Sequence, residues 1–260
     1  MVPTAKVFYI LQYAQIAGFA ILFWRLSTTK LTGIYRYFTA YVVFQIARLI
    51  LAVFIPYRSN AYGNFFFTCE PIVWILSALA IMEVYGIVLR NHPGIATWGR
   101  WALAGSIGLS VLLSLCTLFL DYQNASEKYP ILANFFLLSR LVTISLLLFV
   151  VLITFCLLWF PIVLNRNTVV HCCVFAGYFL IKSATSVVAG LLLSEHSLVP
   201  LNITVQLLVT LCCAAWIVGL SAKGETIPAK IGHYWDPGQE ERLMAQLDAI
   251  NRTLLHSAKD

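Results

Sequence analysis

The stretch FFFTCEPIVWILSALAIMEVYGIVL, residues 65 to 89, places a glutamate directly before a proline in an otherwise apolar run. A helix of about 20 apolar residues crosses a bilayer, so this run is long enough to span one. A carboxylate in hydrocarbon is costly unless it is paired or hydrated. Pro71 also lacks the N–H that the carbonyl of Phe67 would otherwise accept from. Glu70 therefore raises the question of which cations balance it.

Six further apolar runs of similar character surround this one. They are Val7 to Trp24, Ile34 to Ile55, Trp101 to Leu120, Ile131 to Leu164, Thr168 to Leu193 and Leu198 to Leu220. Only 11% of the chain is charged, against about 25% in a soluble domain. We predict an all-α polytopic membrane protein built as a seven-transmembrane-helix bundle. The fifth run is longer than a span needs, which predicts a tilt, a kink at Pro161 or an extension beyond the bilayer.

Basic residues are distributed unequally between the two sets of loops. With the N-terminus outside, the inner segments up to residue 230 hold eight of them, namely Arg25, Lys30, Arg36, Arg90, Arg100, Arg166, Lys223 and Lys230. The outer segments hold Lys6, Arg58 and Lys128. The positive-inside rule predicts an outer N-terminus and a cytoplasmic C-terminus, in a plasma membrane or a bacterial inner membrane. Topology thus explains the basic excess, and no nucleic-acid partner is expected.

The chain divides into a transmembrane domain, residues 1–220, and a cytoplasmic tail, residues 221–260. Asp236 as cap and Pro237 in the first turn predict a helix over about 237–257. Its apolar stripe comprises Leu243, Leu247, Ile250 and Leu254. Such a helix packs on the bundle, lies at the membrane interface or docks a protein partner. The stripe is short for a coiled coil, which makes self-association through it the weaker alternative.

A face of small residues runs along the fourth predicted helix. Ala102, Ser106, Ser110 and Ser114 recur every four positions. Small side chains on one face permit close approach of another helix. That helix belongs either to the same chain or to a second copy in a homo-oligomer.

Four ionisable side chains on four predicted helices share the outer half of the membrane. At 1.5 Å of rise per residue, Arg48, Glu70, Arg140 and Lys182 lie roughly 8 to 16 Å from the outer boundary. Neutral polar side chains occupy the same layer: Gln12, Gln15, Gln45, Asn202 and Gln206. The layer predicts either interhelical polar contacts or a pocket.

The structural interpretation of this layer is that Arg48 pairs with Glu70 and the glutamines bond between helices. The alternative begins from charge, because three cations face one carboxylate, and water or a bound anion would relieve the excess. We predict an outward-facing polar pocket for a small anionic or zwitterionic ligand. Its predicted binding residues are Arg48, Glu70, Arg140, Lys182, Gln45, Gln206, Tyr41, Trp74 and Tyr178.

A second pair of opposite charges lies in the inner half. Arg36 and Glu83 fall at similar depths on the second and third predicted helices, which predicts a structural ion pair. The alternative is that Arg36 extends to the lipid headgroups and Glu83 takes another partner.

Motifs for catalysis are missing from the sequence. The histidines at 92, 171, 196, 233 and 256 are dispersed, and no HExxH, GxSxG or P-loop element occurs. The seven cysteines form no CxxC pair, which leaves Cys69 and Cys116 as a disulfide or, more simply, as two free thiols. We therefore expect no enzyme activity, no metal site and no cofactor.

These observations favour an integral membrane receptor or sensor-like protein that couples to a partner through its tail. A small transporter or channel is one alternative, in which the same charges line a pathway. A structural subunit of a membrane complex, with no ligand, is the other. In every case the lipid bilayer surrounds the chain.

Overall fold

A computed structural model describes residues 3–56, 59–88, 130–159, 164–192 and 195–229, together with nine isolated positions. Helices dominate these residues: α1 Pro3–Thr28, α2 Arg36–Phe54, α3 Asn60–Val88, α4 Pro130–Trp159, α5 Arg166–Leu192 and α6 Glu195–Gly219. Two short 3₁₀ helices, Leu31–Gly33 and Ala222–Glu225, follow α1 and α6. The strands β1, Leu164–Asn165, and β2, Pro228–Ala229, form a small antiparallel pair.

Six helices in the described part of the chain are long and apolar enough to cross a membrane. These spans are Val7–Thr28, Arg36–Phe54, Ala61–Val88, Leu138–Phe155, Arg166–Val188 and Pro200–Gly219. The predicted all-helical, membrane-spanning class is therefore confirmed, and the chain is a multi-pass integral membrane protein. The α3 helix is continuous through Pro71.

The fourth predicted span and the tail helix fall mostly outside the described residues. In that span Gly105, Ser106, Gly108 and Leu109 are described and helical, and Ser106 of the small-residue face is buried. In the tail, the described positions are also helical and exposed, namely Gly238, Arg242, Ala245, Gln246 and Ala249. The apolar stripe of the tail helix, Pro161 and Cys116 lie outside the described residues.

One predicted boundary is wrong. The fifth apolar run was expected to continue as helix to Leu164, but Leu164 belongs to β1 and pairs with Ala229. Leu164 is buried, so its hydrophobicity serves this pairing rather than a longer helix. An apolar residue in a buried strand is indistinguishable by hydropathy from one in a helix.

Each described helix packs against the next one along the chain, and α6 packs on α1, which closes the bundle. The α3 helix also contacts α4 and α5. We call the "tail end" the end at which α1, α3, α4 and α6 finish and α2 and α5 begin. The "pocket end" is the opposite one. Gly18 of α1 allows close approach of α6, since a Cβ there would lie 3.3 Å from Cys213 Sγ.

Aromatic rings fill the core on the tail side of the bundle. Phe38 of α2 lies at their centre, with ring centroids 4.6 Å from His171, 5.1 Å from Trp216 and 5.9 Å from Phe175. Tyr41, one turn further along α2, contacts Phe175 and Trp216. All five rings are buried, so this "aromatic cluster" closes the tail half between α2, α5 and α6.

Hydrogen bonds fix the beginning of the tail to the bundle. The Asn167 amide donates to the Ser221 carbonyl at 2.8 Å and to the Glu225 carboxylate, and its oxygen accepts from the Ser221 N–H. Tyr35, just before α2, donates to Glu225 at 2.7 Å. Burial, reinforced by that hydrogen bond, raises the pKa of the Tyr35 hydroxyl, so it remains a donor at neutral pH. We call these residues the "tail network".

Gly224→Ala tests the tail network. A Cβ at Gly224 would lie 2.8 Å from Asn167 Cγ and closer still to Oδ1, so Asn167 must move. We expect a loss of about 2 kcal/mol, the typical cost of overpacking, seen as a lower melting temperature in detergent. Gly177→Ala is the control, because no described atom outside its own helix would lie within 4 Å of a Cβ there. Equal melting temperatures for the two variants would contradict the network's role.

Candidate functional site

A polar cavity of about 120 Å³ lies toward the pocket end, between α1, α2, α3, α5 and α6. Two cationic side chains line it, Arg48 of α2 and Lys182 of α5. Its remaining polar lining comprises Gln12, Gln15, Gln45, Tyr62, Tyr178, Asn202 and Gln206. Its apolar lining comprises Phe8, Phe19, Leu49, Ala52, Phe65, Phe66, Val205 and Val209.

Glu70 holds both cations of the cavity at once. Its Oε2 lies 2.7 Å from Arg48 Nη1, and its Oε1 lies 2.8 Å from Lys182 Nζ. The Glu70 side chain is 2% exposed, whereas those of Arg48 and Lys182 are 19% and 20% exposed. The carboxylate therefore lies behind the cations, which form the surface that faces the cavity.

The charges of this triad do not cancel. Two cations and one carboxylate leave one formal positive charge beside the cavity. Within the described residues, the structure gives Arg48 and Lys182 one hydrogen bond each, both to Glu70. A guanidinium carries five N–H donors and an ammonium three, so donors of both groups remain for the cavity.

Two glutamines of α1 that line the cavity are bonded to the neighbouring helices. Gln12 donates through Nε2 to the carbonyl of Leu49 at 3.1 Å, one residue beyond Arg48. Gln15 donates through Nε2 to the carbonyl of Gln206 at 2.8 Å, which joins α1 to α6. Neither Gln12 Oε1 nor Gln206 Oε1 has a hydrogen-bond partner among the described residues. Both oxygens are fully buried, so the cationic donors of Arg48 and Lys182 are the charged groups that the cavity offers.

The structure brings together five of the nine residues predicted to bind a ligand. Gln45, Arg48, Tyr178, Lys182 and Gln206 all line the cavity. The other four, Glu70, Tyr41, Trp74 and Arg140, lie outside the lining. Glu70 is the partner of the cations, and Tyr41 packs in the aromatic cluster. Trp74 is buried on α3.

Arg140 occupies a different environment from the other two cations. It is buried on α4, and its Nη2 donates to the carbonyl of Ser186 on α5 at 3.2 Å. The expected group of three cations around one carboxylate is thus two around one. The depth of a residue along its helix can be counted from the sequence. The rotation of the helix about its axis, which decides the direction of the side chain, depends on packing against several neighbours.

Arg36 and Glu83 meet, through the backbone of α2 rather than through the guanidinium. The Glu83 carboxylate accepts from the backbone N–H of Arg36 at 2.7 Å, of Tyr37 at 2.9 Å and of Phe38 at 3.2 Å. The Arg36 Nε donates to the carbonyl of Gly33. Glu83 thereby satisfies the free donors at the beginning of α2, where a negative charge also complements the helix dipole.

Sequence reasoning missed the aromatic wall of the cavity and the whole tail network. Phe65 and Phe66 come from α3, and Phe8 from the first turns of α1. In a membrane protein such rings look the same in sequence whether they face lipid or a cavity. Among the described residues, no group of three or more His, Cys, Asp or Glu side chains is placed to hold a metal ion.

No protein-family model matches the chain, and neither curated proteins nor solved structures show significant similarity to it.

Glu70→Gln tests whether the carboxylate stabilises the bundle through its charge. Removing one partner of a buried ion pair typically costs about 3 to 5 kcal/mol, and we expect about 3 because both cations also face the cavity. The measurement is thermal unfolding in detergent. The control combines Glu70→Gln with Arg48→Met and Lys182→Met, which removes the uncompensated charges and should recover most of the loss. A triple variant as unstable as the single one would contradict the charge argument.

Proposed function

We propose that the chain is a receptor or sensor-like membrane protein that binds a small anionic or zwitterionic molecule in the polar cavity. One observation carries the proposal: two cations line a single cavity, and the carboxylate that they share is buried beside them. A bound anion would neutralise the remaining positive charge and accept hydrogen bonds from the unused donors. Charge-assisted hydrogen bonds of this kind are the stronger class in proteins.

The shape of the bundle supports binding rather than passage. The cavity lies toward the pocket end, and the aromatic cluster fills the tail half between α2, α5 and α6. A transport pathway requires polar groups through both halves of the membrane. The described tail half instead contains packed rings, among which Phe38, Phe175 and Trp216 are buried.

The directions of the helices support a seventh membrane span, and the basic residues support an outer position for the pocket end. The α3 helix ends at the tail end and α4 begins at the pocket end, which favours one further crossing between them. The tail end carries the basic residues Arg25, Lys30, Arg36, Arg166 and Lys223, so the positive-inside rule assigns it to the cytoplasm.

The tail network supplies a route from the bundle to a cytoplasmic partner. Asn167 at the start of α5 and Tyr35 before α2 both bond to Glu225. A shift of α5 relative to α2 would therefore alter the contacts of the tail's first residues. Lys182 lies on the same helix as Asn167, which links the cavity to this network through one rigid element.

Cysteine labelling tests the orientation. Ala61→Cys lies exposed at the pocket end and Ala222→Cys lies exposed at the tail end. We expect a membrane-impermeant maleimide to label only Ala61→Cys on intact cells and both variants after permeabilisation, relative to the unsubstituted chain. The reverse pattern would place the cavity on the cytoplasmic side.

Binding of small acids tests the function itself. Propionate, lactate and alanine serve as probes, measured by calorimetry on the full chain in lipid nanodiscs. Arg48→Gln or Lys182→Met leaves Glu70 paired with one cation and the triad neutral. A charge-assisted hydrogen bond contributes about 1.5 to 3 kcal/mol, so we expect either variant to weaken binding of an acid by roughly 10- to 100-fold.

The matched control for Lys182→Met is Lys30→Met, which removes an exposed lysine at the tail end. We expect this control variant to bind the acids as tightly as the wild-type chain does. If none of the three acids binds to the wild-type chain, or if all variants bind equally well, the function is wrong. Accumulation of an acid inside sealed vesicles would identify a transporter instead.

A further inference from the structure

We infer that the tail end binds an anionic phospholipid of the leaflet at that end, and that Arg25, Arg166 and Lys223 hold its phosphate. We call these three residues the "basic group". The inference goes beyond the proposed function, because the basic group lies at the opposite end of the bundle from the cavity. It rests on the hydrogen bonds that gather the three cations, on their unbalanced charge and on their depth in the membrane.

Hydrogen bonds bring the three cations together around the chain that follows α6. Arg25 of α1 donates through Nε to the carbonyl of Leu220 at 3.0 Å. The carbonyl of Lys223 accepts from the Ile227 N–H at 3.2 Å. The carbonyl of Ile227 in turn accepts from the N–H of Arg166, also at 3.2 Å. Residues from α1, from the start of α5 and from the end of α6 onward are thus held close together.

The side chains of the basic group keep hydrogen-bond donors for a ligand. Arg166 and Lys223 are exposed, and Arg25 is half-buried. The bond to Leu220 uses only the Nε–H of Arg25, so the donors on both terminal nitrogens remain. That bond also fixes the guanidinium, which lowers the entropy lost when a ligand binds. Guanidinium groups bind phosphate through paired N–H donors of this kind.

The charge of the basic group is not balanced by a carboxylate of the described residues. Glu225, the acid nearest to Lys223 in sequence, accepts hydrogen bonds from Tyr35 and Asn167. The ion pairs that the described residues form both involve Glu70, in the pocket half. Three cations beside the one carboxylate of Glu225 leave an excess of two formal positive charges. This excess favours an anionic ligand.

The depth of the basic group favours a lipid headgroup over a soluble anion. Arg166 is the first residue of its membrane span, and Arg25 lies in the last turn of α1. Lys223 follows the span that ends at Gly219. Trp24, beside Arg25, is 69% exposed, and exposed aromatic side chains are typical of the interface between hydrocarbon and water. The basic group therefore lies at the level of the phospholipid phosphates.

The excess charge also distinguishes between classes of phospholipid. Basic pockets between membrane helices bind anionic headgroups. Phosphatidylcholine offers the same phosphate, but its own ammonium group cancels the charge of that phosphate. Phosphatidylglycerol has no such ammonium group, so its net negative charge can offset the excess at the tail end. The basic group is thus expected to prefer phosphatidylglycerol.

Native mass spectrometry of the full chain in detergent micelles tests the inference. The probes are phosphatidylglycerol and phosphatidylcholine, titrated separately, and we expect the wild-type chain to bind the first more tightly. A basic residue near the membrane surface strengthens binding of an anionic lipid about fivefold. We therefore expect Lys223→Gln and Arg166→Gln each to weaken binding of phosphatidylglycerol about fivefold, and the double variant about 25-fold. Binding of phosphatidylcholine should change much less.

The matched control is Lys30→Gln, which removes another exposed lysine at the tail end. The backbone N–H of Lys30 bonds to Ser27 at the end of α1. We expect this variant to bind phosphatidylglycerol like the wild-type chain. Lys223→Arg keeps the positive charge and should also retain binding. Arg25 is not substituted, because it also holds the carbonyl of Leu220.

Three outcomes would overturn the inference. Equal losses in Lys30→Gln and Lys223→Gln would indicate a diffuse surface charge rather than a site. Equal binding of the two lipids by the wild-type chain would remove the role of the excess charge. Displacement of phosphatidylglycerol by an equal concentration of inorganic phosphate would assign the basic group to a free anion. Each of these outcomes leaves anion binding in the cavity untouched, because Arg48 and Lys182 lie in the pocket half.

Discussion

The ion triad of Glu70, Arg48 and Lys182 is the constraint that organises the pocket half of the molecule. A carboxylate that is 2% exposed persists as an ion only if cations reach it, and here they come from two other helices, 22 and 112 positions away in sequence. The triad thus fixes the relative depth of α2, α3 and α5. Gln12 and Gln15 then attach α1 to α2 and to α6.

The two halves of the bundle are packed by different means. In the tail half, aromatic rings pack directly, and some polar groups meet through short hydrogen bonds such as Tyr35 to Glu225. Both ring nitrogens of His171 and the Nε1 of Trp216 have no hydrogen-bond partner among the described residues. In the pocket half, cationic, amide and aromatic side chains surround a cavity that the protein itself does not fill. The division falls between Tyr41, which packs in the aromatic cluster, and Gln45, one turn further along α2, which lines the cavity. Adjacent turns of one helix therefore have different roles.

The depth of the ionisable residues in the membrane was predictable from the sequence, but the direction in which their side chains point was not. Counting residues from the ends of apolar runs placed Arg48, Glu70 and Lys182 in one layer, where the structure joins them. The same count placed Arg140 there, yet its guanidinium contacts Ser186 between α4 and α5. The tail network could not be predicted, because Tyr35 and Glu225 are 190 positions apart and a hydrogen bond from a hydroxyl to a carboxylate has no sequence signature.

Stability does not explain why the triad has two cations. One cation would balance Glu70, and apolar side chains of similar volume would often serve stability as well as a buried ion pair does. A second cation adds a desolvation cost that its share of one carboxylate only partly offsets. It becomes favourable where water or a further anion accepts the donors that Glu70 leaves unused. The surplus charge thus supports the anion binding proposed above.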